Sequence, residues 1–258
     1  MSRVVAITNQ KGGVGKTTTT ISLGAALAGE GRSVLVIDLD PQGNASTGLG
    51  VMPEDRDLTT YDLLVEGADL GDCIVGTGTA NLRIVTGTGD LSSADVELMG
   101  ERRRLHLLAD ALSATTDDYV LLDCPPSLNL LTLNALTAAG SVLIPLQSEF
   151  YALEGLSQLM RTVRTVREGP NPALRIEGVV LTMFDGRNNL ARQVEQDVRA
   201  AMGDLVFGTR IPRNVRLSEA PSFAQPITEY DPLSVGSRAY KALAAEMLKR
   251  HGWTEDAA

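Results

Sequence analysis

The 258-residue sequence is poor in the residue types that carry soft-metal and redox chemistry, with two cysteines, Cys73 and Cys124, and two histidines, His106 and His251. Set so far apart, they form neither a disulfide framework nor a Cys/His zinc site. Aromatic residues are only 4% and do not interleave with basic ones, so stacking on single-stranded bases is not expected. Long apolar runs are also missing: Val34–Ile37, Tyr119–Leu122 and Ser141–Leu146 fall far short of the roughly 18 residues that suggest a membrane span. Val4–Ile7 runs straight into Asn9, Gln10 and Lys11, with no signal-peptide core or cleavage site, which predicts a cytoplasmic protein. Positive charge is in deficit, 23 Lys and Arg against 32 Asp and Glu for a net of −9, which excludes a basic coat but permits a local basic patch. No fixed-period repeat or low-complexity linker divides the chain. With 43% hydrophobic and 21% charged residues the composition is globular, and one domain over residues 1–258 is expected. The small acidic tail Thr254–Ala258 is expected to fray.

Short β-branched runs alternate with stretches of helical period, the pattern of an α/β fold: a doubly wound, mostly parallel sheet with helices on both faces. Strands are predicted at Val4–Thr8, Ser33–Asp38, Leu82–Val85, Tyr119–Asp123, Ser141–Pro145, Ile176–Met183 and Leu205–Phe207. Helices are predicted at Thr17–Ala28, Ala94–Leu112, Leu128–Ala138, Tyr151–Arg167, Leu190–Met202 and Ser237–Arg250. Strands such as Val34-Leu35-Val36-Ile37, apolar at every residue, imply that both faces of the sheet are covered.

Directly after the first strand comes Gln10-Lys11-Gly12-Gly13-Val14-Gly15-Lys16-Thr17-Thr18, opening a helical pattern. This is the context of a phosphate-binding P-loop. Glycines at 12, 13 and 15 let the backbone N–H groups converge on phosphate oxygens, and the helix N-terminus adds partial positive charge. Lys16 is placed to reach the β- and γ-phosphates, and the Thr17 hydroxyl to ligate Mg²⁺. The strict motif has glycine six residues before the lysine; here Gln10 stands there, and a second lysine, Lys11, follows it.

Two strands end in acids. The second runs into Asp38-Leu39-Asp40-Pro41-Gln42-Gly43-Asn44, and the one at Tyr119–Asp123 into Cys124-Pro125-Pro126-Ser127. Ligands of a doubly wound sheet sit beyond the carboxyl ends of its strands, so these acids are expected beside the P-loop. Asp123 suits the metal side, and Asp40, on a Pro/Gly/Asn-rich loop, suits water positioning or a nucleotide-sensing switch. Asp38 reads equally as a loop cap.

Lys11-Gly12-Gly13-Val14-Gly15-Lys16-Thr17-Thr18, with its extra lysine, resembles the deviant Walker A motif of the ParA/MinD ATPases. Asp38–Asn44, Asp123–Ser127 and Ile211-Pro212-Arg213-Asn214-Val215-Arg216-Leu217-Ser218-Glu219-Ala220-Pro221-Ser222 narrow the resemblance to the short chromosomal ParA branch, often called Soj, over about Arg3 to Arg250. The resemblance implies a partner-stimulated, slow ATPase of DNA segregation with ATP and Mg²⁺ as cofactors. Its ATP-bound sandwich homodimer binds double-stranded DNA without sequence preference and is released when a ParB/Spo0J-type centromere-binding protein triggers hydrolysis. Carried onto this chain, Lys11, Lys16 and Asp40 are catalytic, with Lys11 reaching the partner subunit's nucleotide. Gly12, Gly13, Val14, Gly15, Lys16, Thr17, Thr18, Pro212 and Asn214 hold the nucleotide. Thr17, Asp40 and Asp123 serve the metal, and Arg187 and Arg216 the DNA. A cytoplasmic, nucleoid-associated protein follows from that resemblance. Because the chain opens at the first strand, the N-terminal helix-turn-helix of the long plasmid relatives is not expected, nor is operator binding.

Three alternatives stand beside this reading. A MinD-like membrane-associated ATPase needs a basic amphipathic C-terminal anchor, whereas Arg238–Arg250 has an Ala-rich apolar face followed by Gly252, Glu255 and Asp256, and reads as a packing helix. An iron–sulfur carrier on the same scaffold needs a cysteine pair, and Cys124 has only the distant Cys73. A small-molecule ligase of the P-loop class, such as one of the biotin pathway, is the third. Both histidines read as surface or core filler. One stretch of the acidic chain is basic, 187–216, with arginines at 187, 192, 199, 210, 213 and 216 against Glu195, Asp197 and Asp204.

Overall fold

The computed structural model describes residues 2–253, so the tail Thr254–Ala258 lies outside the described residues. Its strands are β1 (Arg3–Ile7), β2 (Val34–Asp38), β3 (Ile74–Gly76), β4 (Leu82–Val85), β5 (Tyr119–Asp123), β6 (Ser141–Gln147), β7 (Arg175–Phe184) and β8 (Val206–Pro212). They form one sheet in the order β3-β4-β2-β5-β1-β6-β7-β8, parallel throughout except for β3, which runs antiparallel to β4 at the edge. The expected doubly wound α/β sheet is what the chain builds.

Successive residues of the inner strands feed opposite cores, which is why they are apolar without alternation. On β2, Leu35 and Ile37 enter one core while Val34 and Val36 enter the other; on β5, Val120 and Leu122 are opposed by Tyr119 and Leu121. Helices Leu130–Ala138, Ala152–Glu168 and Asn189–Met202 cover the first face. The second is covered by the P-loop helix Lys16–Gly29 and the last helix, Val235–Arg250, which buries Tyr240, Leu243, Ala244 and Met247. Three helix starts are set by side chains that accept a backbone N–H: Asn129 from Thr132, Asn188 from Leu190 and Ser234 from Ser237. Each such cap contributes about 1 kcal/mol.

Two expectations fail. The helix predicted over Ala94–Leu112 is broken into Ala94–Glu97, a 3₁₀ turn at Leu98–Gly100, and Leu107–Ala111. Gly100 weakens the helix there, and one local and one tertiary bond hold the chain in the bend: Arg104 Nη1 donates to Met99 O, and Asn134 Nδ2 to Arg104 O. The strand predicted to end at Phe207 runs on to Pro212. As β8 is an edge strand, Gly208 and Pro212 do not terminate it, and the Gly208 and Thr209 N–H groups are satisfied by the Glu246 carboxylate of the last helix.

The amino end of the sheet is pinned by His251. Its Nδ1 lies 2.8 Å from the Tyr119 hydroxyl and its Nε2 2.8 Å from Glu177, which also accepts from Ser141 at 2.7 Å. His251 thus fastens the end of the last helix to β5, β6 and β7, more than the filler expected of it.

Gly178 stands where β7 shifts register against β6. A Cβ there would meet the Phe207 ring at 2.5 Å and Leu205 O at 2.6 Å, so Gly178→Ala must push β8 away. Overpacking of this kind costs about 1–3 kcal/mol. Thermal unfolding followed by circular dichroism should show a Tm lower by about 2–10 °C for a chain of this length.

Candidate nucleotide site

Between β1 and the first helix the backbone turns through Gly13 (φ 74°) and Gly15 (φ 87°), both left-handed. Nothing lies within 4 Å of a Cβ built at either, so the backbone angle, not crowding, is what calls for glycine. The loop is braced from below. Asn9 Nδ2 donates to Pro145 O at 2.8 Å, the Lys11 N–H donates to Asn9 Oδ1 at 3.0 Å, and the Thr182 hydroxyl donates to Val14 O at 2.8 Å. No side chain caps the helix that begins at Lys16, so its first N–H groups are left for a ligand. The loop opens on a cavity of about 620 Å³ lined by Gly12, Gly13, Gly15, Lys16, Thr17 and Thr18, with Asp40, Gln42 and Asn44 opposite. Lys16 is 7% exposed, and burial pulls its pKa below the ordinary lysine value against the opposing pull of Asp123.

The acids arrive through strand register. Ile7, Asp123 and Asp38 form one row across β1, β5 and β2, which sets the P-loop and both carboxylates at the same sheet edge. Asp123 accepts from the Thr20 hydroxyl at 2.9 Å, tying the P-loop helix to the end of β5. Its other oxygen, Oδ2, is buried with no hydrogen-bond partner. Burial, with the neighbouring Asp38, raises the Asp123 pKa. Burial raises that of Asp38 too, although Asp38 accepts from Ser46 N at 2.9 Å, Ser46 Oγ at 2.7 Å and Asp40 N at 3.2 Å. Asp38 therefore organises its loop as a cap does. Asp40, 8% exposed, accepts from the Gln42 N–H at 3.0 Å and lines the cavity.

Among the described residues no group of three or more His, Cys, Asp or Glu could hold a metal ion. Mg²⁺ does not require such a cage, being held commonly by one or two protein oxygens together with substrate phosphates. The orphaned buried oxygen of Asp123 and the Thr17 hydroxyl are hard donors of that type, and the site fits.

The remaining candidates are placed differently. Lys11 Nζ is bound to Glu149 at 2.5 Å, both side chains partly exposed. Pro212 pairs with Phe184 next to the cavity-lining Met183, and Asn214, just beyond it, buries an unpartnered Oδ1. Arg187 and Arg216 lie outside the cavity, and each meets carboxylates that linear charge counting leaves out: Arg187 binds Asp185 at 2.9 Å, and Arg216 binds Glu219 at 2.8 Å and Asp231 at 3.5 Å. Arg199 and Arg210 share Glu195, so folding offsets much of the basic stretch. Cys124 is buried with its thiol 3.7 Å from Leu122 O and its pKa pushed up by burial, and Cys73 is buried as well. Neither presents a thiolate at the cavity. Asn9, Thr20, Ser46, Glu149 and Thr182 are not assigned to the site by the sequence; Asn9 and Thr20 flank the motif, whereas the others have no sequence signal.

A family model described as an AAA domain matches residues 2–176. Over 252 residues the chain is 55% identical to the chromosome partitioning protein ParA of Caulobacter vibrioides, covering 96% of this chain and 94% of that protein. It is 53% identical over 249 residues to the sporulation initiation inhibitor protein Soj of Bacillus subtilis, covering 96% and 98%. A crystal structure of cobyrinic acid a,c-diamide synthase from Mycobacterium smegmatis with bound ADP and magnesium superposes with a TM-score of 0.85 at 36% identity, covering 98% of this chain and 96% of that one. Identity at this level, spread over nearly the whole length, makes the chain a member of the ParA/Soj family of chromosome-partitioning ATPases.

Proposed function

We propose that this protein is the ATP-driven component of a DNA segregation system, cycling between a monomer and a DNA-bound sandwich homodimer. The observation that carries the reading is the convergence of the glycine loop, Lys16 and Asp40 around one cavity, with Asp123 buried at the same carboxyl edge of the sheet. In this reading the loop N–H groups and Lys16 grip the β- and γ-phosphates of ATP, and the Asn214 side chain accepts from the adenine. Thr17 and Asp123, with Asp40 close by, face the Mg²⁺, which when bound neutralises phosphate charge. Asp40 orients the water that attacks the γ-phosphorus in line, with ADP leaving.

Lys11 is proposed to reach the partner subunit's nucleotide, which requires it to leave Glu149. That exchange is open to it because a partly solvated ion pair is weak. Exposed Leu128, Phe150 and Tyr151 flank this side of the site, the last two edge to face, and support self-association there. Arg187 and Arg216 would bind DNA phosphates, exchanging exposed carboxylate partners for them. A ParB-type partner would then stimulate hydrolysis, and association with DNA would keep the cytoplasmic protein on the nucleoid. No helix among the described residues is long and apolar enough to cross a membrane. The last helix spends its apolar residues in the core, which counts against the MinD-like alternative. The synthase-like neighbour keeps a ligase reading in view, and ATP turnover without any second small-molecule substrate separates the two.

Three outcomes are expected. Lys11→Ala should bind ATP yet remain monomeric in sedimentation velocity, whereas an ATP-dependent dimer of this variant would remove Lys11 from the interface. Asp40→Ala should bind ATP and dimerise but hydrolyse about a hundredfold or more slowly, measured as phosphate release with the ParB-type partner present. Wild-type DNA binding should weaken with log salt by about 0.9 per phosphate neutralised, alike on every duplex sequence. Arg187→Glu and Arg216→Glu should flatten that slope without impairing ATP-dependent dimerisation; dimers that retain the wild-type slope place the DNA surface elsewhere.

A further inference from the structure

Outside the phosphate loop, one side chain gathers an unusual set of contacts. Arg56 is half-buried, far in sequence from the P-loop, and belongs to none of the motifs that mark the site. Its guanidinium makes five hydrogen bonds: Nε to Val51 O at 3.2 Å, Nη1 to Gly87 O at 2.8 Å, and Nη2 to Gly43 O at 3.3 Å, Thr47 Oγ1 at 2.7 Å and Val51 O at 2.9 Å. Every acceptor is neutral. A charge held by carbonyls rather than by a carboxylate fixes backbone geometry, because the planar fork satisfies several acceptors only in one arrangement.

The backbone it holds is the segment that carries Asp40. Gly43 and Thr47 lie three and seven residues beyond Asp40, and Gly87 follows β4 and packs under the same loop. A Cβ at Gly87 would stand 2.9 Å from both Asp38 O and Asp40 O. A second tie runs through Ser46, whose hydroxyl donates to Asp38 and accepts from the Gly87 N–H at 2.9 Å. At Gly43, with φ 60°, a Cβ would collide with the Arg56 guanidinium and stand 2.6 Å from Gly87 O, so glycine is needed there for conformation and for space. Strand end, loop and following turn are thus clamped together on the side facing away from the cavity, while Asp40, Gln42 and Asn44 face into it.

We propose that Arg56 is a positioning residue for ATP hydrolysis, locking the 40–47 segment against Gly87 so that Asp40 is presented to the attacking water. The inference rests on the reading of Asp40 given above. None of the residues that accept hydrogen bonds from Arg56 lines the cavity, so its loss should leave ATP binding intact and lower turnover, since small displacements of an orienting group are costly to rate.

The test uses the full-length chain, with steady-state phosphate release and fluorescent-ATP binding measured for Arg56→Ala, Arg56→Lys, Asp40→Ala and the Arg56→Ala/Asp40→Ala double variant. Both Arg56 variants should lose about tenfold to a hundredfold in kcat with ATP affinity within about threefold of wild type. The double variant should be no slower than Asp40→Ala, because the two act on one step. Millimolar methylguanidinium should raise turnover of Arg56→Ala severalfold without affecting wild type or Asp40→Ala. Should Arg56→Ala fail to fold, hydrogen exchange of the Gln42–Thr47 amides in Arg56→Lys decides: faster exchange is expected, and unchanged protection overturns the proposal. Wild-type kcat in the Arg56 variants, additive losses in the double variant, or equal losses of kcat and ATP affinity would overturn it too. If Asp40→Ala turns over normally, the Asp40 reading fails; if Asp40→Ala is slow and the Arg56 variants are not, only this inference fails.

Discussion

The row Ile7–Asp123–Asp38 across three adjacent parallel strands is the constraint on which the site depends. Parallel strands end at one edge, and where the order turns from β5 to β1 to β6 a crevice opens that helices on both faces wall in. Shifting β5 by one residue would swing Asp123 to the other face of the sheet and break its bond to Thr20. Register is held by the interior: Val120 and Leu122 sit in one core, Tyr119 and Leu121 in the other, and a slip would exchange them.

That edge concentrates charge in a place water scarcely reaches. Lys16, Asp38, Asp40 and Asp123 are all less than a tenth exposed. Burial raises both Asp38 and Asp123 and lowers Lys16, so each is held away from its preferred charged state. In the proposed reading a polyanionic nucleotide with its cation would relieve this frustration, since the phosphates would favour charged Lys16 and the cation ionised Asp123. The loop that bears Asp40 is anchored from behind by the neutral acceptors around Arg56 and by Ser46, which ties Asp38 to the Gly87 N–H.

Much of the fold was legible because its signals are local. Seven of the strands lie where β-branched runs predict them, and the glycine-rich loop is readable because only glycine takes φ near +74° and +87° without strain. The legible part stops where packing overrides propensity. The amphipathic stretch Ala94–Leu112 looked like one helix, but bonds from Asn134 and Arg104 secure a bend in it. Edge strand β8 continued through Gly208 because a carboxylate from the last helix served its N–H groups.

The amino-acid sequence by itself determined the α/β class, the phosphate loop and the two acidic strand ends, because each depends on residues within a few positions of one another and on strand periodicity. Only the tertiary structure decided which groups face which. Lys11 is held by Glu149, 138 residues away. Arg216 meets Asp231, outside the stretch whose charge seemed in surplus. Arg56 clamps a loop to a residue 31 positions further on. Charge and hydrogen bonding act through space over a few ångströms, and distance along the chain carries no record of which distant groups folding brings within that range.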